Sequence, residues 1–259
     1  MRISRWFAVA MLAVFSGFVI NGCSSVKVQT PAPEKKTEYG YPADYHVKPL
    51  YIQVHDLGQY FPELRPILPF DEPPPLPVGA EGYFVIPRWQ LLAPTYGEAV
   101  EKVFAALAIQ RPFYSWYYED KLGPEYLRRT EHATAMWEKL ELENGQRGSD
   151  ILVVPAQFGL YHRGKSVKEA RASFAENEFG LGAYEVAIML LTHPERLQSF
   201  AYPWIDAPGD EYSQNADGDF SYASVFSFSG VYVRFDASWF DYAHEDYGSA
   251  SAFVSPASP

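Results

Sequence analysis

The chain reads as an α+β protein: one domain in which a mixed β-sheet packs with about four to five helices and the chain closes on a C-terminal β-hairpin. Three observations predict this. Helical apolar spacing recurs behind capping boxes through the middle of the chain. A nearly continuous apolar run, Ile151 to Pro155, has the composition of a strand covered on both faces. Val225 to Phe228 and Val231 to Phe235 flank Ser229-Gly230 as the arms of a two-residue hairpin.

Taken in order, Tyr83 to Pro87 is a short apolar strand, and Thr95 with Glu98 opens the first clear helix, whose stripe is Val100, Val103, Phe104 and Leu107. A second helix is predicted from Pro124 to Leu142, with Tyr126, Ala133, Trp137 and Leu140 inward and Arg128, Arg129 and His132 on its polar face. Ser166 and Glu169 cap a third helix. Gly180 and Gly182 then precede an apolar helix, Ala183 to Leu191, and Thr192 with Glu195 suggests a short final one. The prolines of Phe70 to Gly79 make a stiff strap across the surface, or a ligand for a proline-binding partner.

The first 22 residues have the layout of an export signal: Arg2 and Arg5, then an apolar run from Trp6 to Ile20 that is shorter than the ~20 residues a membrane-spanning helix needs. Ile20, Asn21, Gly22 and Cys23 resemble the lipobox of bacterial lipoproteins, with Asn21 where Ala or Ser is usual. The resemblance implies cleavage before Cys23, acylation of that cysteine with palmitate-type chains, and, with Ser24 rather than Asp next to it, attachment to the outer membrane facing the periplasm. Residues 23–48 then read as the lipidated cysteine and a flexible tether, and 49–259 as the domain.

Cys23 is the single cysteine, so no intramolecular disulfide can form and packing must hold the domain. The formal charge of −11 becomes −13 once Arg2 and Arg5 leave with the signal. So acidic a chain is a poor match for nucleic acid or for anionic lipid bound by charge.

Candidate chemistry lies in two stretches. The first holds His162, Arg163, Lys165 and Ser166, where a buried strand runs into a helix N-terminus; Arg163, Lys165 and Ser166 suggest an anion site. The second holds Asp206, Asp210, Glu211, Asn215, Asp217 and Asp219. Asn215, Asp217 and Asp219 alternate like the first ligands of a calcium loop, although Phe220 and Phe226 stand where that loop needs Gly and a bidentate acid. Calcium is therefore the one cofactor the pattern admits.

A hydrolase would join the stretches, with His162 as general base and Asp206 or Asp210 orienting it. The other expectation is a non-enzymatic envelope protein that binds a ligand or partner, glycan or protein, through aromatic surface, since 19 Tyr and 6 Trp are present and Phe113 to Tyr118 is dense in rings. HExxH, GxSxG and paired CxxC motifs do not occur.

Overall fold

Every residue of helix α6, Ala183–Thr192, is buried. An apolar helix of this kind belongs in the middle of a core. It packs against helices α1, Leu50–Gly58, and α3, Tyr96–Gln110, and against strands β1, Gly82–Pro87, and β6, Trp204–Tyr212. The computed structural model describes residues 40–70, 72–116, 121–143, 146 and 148–254. Residues 1–39, which include the expected signal and Cys23, lie outside the described residues. Among the described residues no helix is long and apolar enough to cross a membrane.

The fold is α+β, as the residue patterns predict, with its strands in two sheets. The first is antiparallel, in the order β1, β4 (Ile151–Gln157), β10 (Ser251–Phe253), β5 (Glu178–Gly180). All seven residues of β4 are buried. The second sheet is mixed: β2 (Phe113–Ser115), β8 (Tyr232–Trp239), β7 (Tyr222–Ser229), β6, β3 (Leu127–Arg129), with β9 (Tyr247–Ser249) also on β6. Its β2–β8 and β6–β9 pairs are parallel. The sheets meet where Gly209 N donates to Leu181 O at 2.9 Å. A Cβ on Gly180 would stand 2.5 Å from Gly209 N, so both crossing strands carry glycine at that point.

Two of the three predicted capping boxes, Thr95 with Glu98 and Ser166 with Glu169, are formed, the second on α5, Val167–Ser173. The hairpin forms too, but Ser229 pairs with Tyr232, so its turn is Gly230-Val231, one residue later than the sequence suggests, with Gly230 left-handed at φ 64°.

Five expectations change. The helix expected from Pro124 begins at Glu131 as α4, Glu131–Glu143, because residues 127–129 pair with Asp210–Tyr212 of β6 and leave Thr130 to bind Ala133 N. Arg128 and Arg129 therefore lie on a strand. The Thr192–Glu195 capping box does not form. Thr192 is the last residue of α6 and its hydroxyl donates back to Ile188 O and Met189 O, while Pro194–Leu197 makes a 3₁₀ turn.

Residues 41–48, read from the sequence as the end of a tether, are bonded to the domain. Tyr41 hydrogen bonds to Glu81, and Lys48 N donates to His193 Nε2 at 3.0 Å. His193, expected to be solvated or merely beside a cap, is fully buried, and burial with Lys48 nearby pushes its ring down to about 3. Finally, α1 was not expected at all. It is pinned by the buried Gln53, whose amide donates to Lys48 O and Tyr83 O and accepts from Val85 N, satisfying the free edge of β1.

Candidate functional site

His162 lies in a 3₁₀ turn, Leu160–His162, just after β4, with its ring between Tyr161 and Phe174. Its Nε2 is 2.7 Å from Glu178 Oε1. The same carboxylate accepts from Ser251 Oγ at 2.5 Å and from Ala175 N at 3.2 Å, and Ser251 Oγ accepts from Gln157 Nε2 at 2.8 Å. Burial works to raise Glu178, but the hydrogen bonds from His162 and Ser251 outweigh it and leave the carboxyl below its usual range. This chain bolts the turn to β5 and β10. Its order, serine to glutamate to histidine, is not that of an activated nucleophile, because the hydroxyl meets the acid instead of the imidazole.

The expected partners of His162 are elsewhere. Asp210 accepts from Tyr96 Oη at 2.9 Å and from Ala183 N at 2.6 Å, at the start of α6. Asp206 sits on the opposite face of the same strand. Strict alternation would put both on one face. A bulge in β6 prevents it: between Ala207, opposite Ser224, and Tyr212, opposite Tyr222, five steps of β6 run against two of β7. The odd surplus turns Asp210 towards Tyr96 and α6, while Asp206 lies on the other face of the strand, where it is buried as well. The constellation expected of a hydrolase is thus not assembled around His162.

Asp210 belongs to a buried group that sequence reasoning missed. Arg129 on β3 forms an ion pair with Glu185, which is fully buried and also accepts from Gly182 N at 3.0 Å. The Arg129 guanidinium lies 4.8 Å from the centre of the Tyr96 ring and 5.4 Å from that of Trp137. Burial opposes its charge, but Glu185, Tyr96 and Asp210 more than offset that and hold it above its ordinary value. Asp210 is pushed up to about 7 by burial and by Glu185. One signal was available: Glu185 is the only charged residue in the run Ala183 to Thr192, and a lone acid in a core helix requires a partner.

The proposed anion cluster is already engaged. The Ser166 hydroxyl accepts from Glu169 N, the Glu169 carboxylate accepts from Ser166 N, and Lys168 N donates to Phe240 O, so the α5 terminus is satisfied within the protein. Lys165 Nζ donates to Ser173 Oγ at 2.8 Å and Arg163 Nε to Glu245 O at 3.0 Å. In the suggested calcium loop, Asn215, Asp217 and Asp219 are exposed, and Asp217 Oδ1 accepts from Ser213 Oγ and Asp219 N, an ordinary Asx turn. Among the described residues no three His, Cys, Asp or Glu side chains gather as a metal site.

A cavity of about 340 Å³ lies beneath α1. Its floor is Leu57, Phe61, Val85 and Ile151, all buried, and its walls are Val54, Pro62, Leu64 and Pro66. The only polar side chains of its lining, His55 and Gln59, are exposed. The frame is fixed on both sides. Gln53 ties α1 to β1, and the Asp150 carboxylate accepts from Arg65 N at 2.6 Å, holding down the segment after Phe61. A volume at the small end of the range for ligand pockets, with apolar walls and a polar rim, suits a compact apolar guest.

No family model, curated protein or solved structure matches the chain.

Proposed function

We propose that the chain is an exported, lipid-anchored envelope protein, held through acyl chains on Cys23 at the outer membrane and facing the periplasm, whose domain binds a small apolar molecule in the cavity beneath α1. The cavity carries this reading: its lining holds no carboxylate, lysine or arginine, and its one ionisable side chain, His55, is exposed at the rim. The hydrolase alternative draws no comparable support, since His162 is committed to Glu178.

The test is titration of N-phenyl-1-naphthylamine, a neutral apolar fluorophore, into the chain beginning at Ser24, which keeps every described residue. Saturable enhancement at one site is expected. Gly58 lines the cavity, and a Cβ there meets nothing within 4 Å, so Gly58→Phe can fill the space without a clash. It is expected to weaken the fluorophore by roughly ten-fold or more, a loss of about 1.4 kcal/mol. Equal binding by the two proteins rules the cavity out.

The anchor is tested separately. Cys23→Ser is expected to abolish incorporation of labelled palmitate in cells and to release the chain from the membrane pellet. Continued labelling excludes acylation at Cys23.

A further inference from the structure

The outer face of the second sheet carries a carboxylate that the protein leaves alone. Asp206 on β6 is 3 % exposed, and its side chain takes part in no hydrogen bond or ion pair among the described residues. Directly across from it on β9, Ser249 also leaves its buried hydroxyl unpartnered, as does Ser227 on β7 beside Trp204. Native proteins pair nearly all such groups. Three unpaired polar side chains on adjacent strands of one face mark a place built to receive donors from outside.

The surroundings define the guest. Trp204 and Tyr247 stack at 4.6 Å, Tyr242 and His244 lie 5.8 Å and 5.3 Å from the Tyr247 ring, and the Arg234 guanidinium lies 5.6 Å from the Trp204 ring. Arg234 is paired with Asp236 at 3.5 Å and so does not serve Asp206. Asp246 adds another acid, with His244 Nδ1 at 3.5 Å from its carboxylate. The balance of charge is negative even after Arg234 is counted. A negative, ring-walled site with an unpaired acid fits a cation best: ring faces and edges shield it, and the carboxylate supplies the counter-charge.

We propose that the face around Asp206, Ser249, Trp204 and Tyr247 is a binding site for a primary ammonium group carried on an apolar stem. The ammonium donates to the Asp206 carboxylate and the Ser249 hydroxyl, and its stem lies along the Trp204–Tyr247 stack. The site is independent of the cavity beneath α1, which neither shares a residue with it nor depends on its ligand.

The experiment is calorimetric titration of the full chain, in a neutral detergent, with cadaverine as the ammonium probe and maltotriose as an uncharged, polyhydroxylated one. Saturable one-to-one binding of cadaverine is expected, weakened by salt and reduced roughly ten-fold or more by Asp206→Asn, which is about 1.4 kcal/mol. Asp217→Asn removes one exposed carboxylate on a loop and is expected to leave binding unchanged. Equal affinity of the wild type and Asp206→Asn, an equal loss in Asp217→Asn, or binding of maltotriose without cadaverine each overturns the proposal.

Discussion

Arg129→Met is expected to be among the most destabilising substitutions in the domain, costing about 3–5 kcal/mol at pH 8, because it strands a buried charge rather than merely deleting a contact. Glu185 is fully buried and its charge is met by Arg129. Asp210, pushed up to about 7 by burial and by Glu185, stands next to the same guanidinium. Without Arg129 the carboxylate of Glu185 is left buried without its counter-ion, and Asp210 loses the cation that favours its ionised form, so its folded value rises further. A carboxyl raised above its unfolded value costs stability as pH climbs from the unfolded value through the folded one. The loss in Arg129→Met is therefore expected to be larger at pH 8 than at pH 5. Urea unfolding at the two pH values measures it.

A second variant separates stranded charge from lost packing. Arg129→Met with Glu185→Gln removes both charges, while the glutamine oxygen still accepts from Gly182 N. Most of the stability should return, because a neutral pair has no ion to desolvate. If the double variant is as unstable as Arg129→Met alone, the guanidinium matters through its contacts with Tyr96 and Trp137 and not through its charge.

The contrast between these groups and the residues that drew notice in the sequence shows where sequence reasoning reaches. Local signals transferred well. Thr95 and Ser166 cap the helices they were expected to cap, and Ile151 to Pro155 is the buried strand its composition implies. These features depend on neighbours within a few residues. Apart from the Thr192–Glu195 box, which the turn of α6 itself takes over, what failed depended on partners far along the chain. Residues 127–129 continue a helical pattern well enough, yet β6 claims them for its edge. His162 could not be assigned to Glu178 and Ser251, the second of them on a strand 89 positions later in the numbering. The bulge in β6 was hidden as well. Pro208 and Gly209 hint at irregularity, but nothing local says that an odd number of extra residues will put Asp210 and Asp206 on opposite faces of the strand.

Asp206→Asn is expected to make the protein more stable, and by an amount that depends on pH. Burial alone pushes Asp206 up to about 7. In the unfolded chain its carboxyl titrates near ~3.9. The ionised acid is thus a liability in the fold that is absent below about pH 4, grows through the interval up to about 7 and then levels off. Tyr247, on the neighbouring strand, feels its charge, and the cation near that ring, Arg234, is already paired with Asp236. Asparagine carries no charge to desolvate. Its advantage should be near zero at pH 4 and should reach about 4 kcal/mol above pH 7, the equivalent of a shift of roughly three pH units. Other titrating groups are common to both proteins and cancel in the comparison, so urea unfolding at pH 4, 6 and 8 reads this carboxyl alone. A pH-independent difference between the two proteins would show that Asp206 ionises as readily in the fold as in the unfolded chain, whereas a difference still growing at pH 8 would show that it stays protonated in the fold. If the advantage appears as expected, an acid without a partner is being kept at a standing cost to the fold, and such a cost is characteristic of a residue retained for binding rather than for structure.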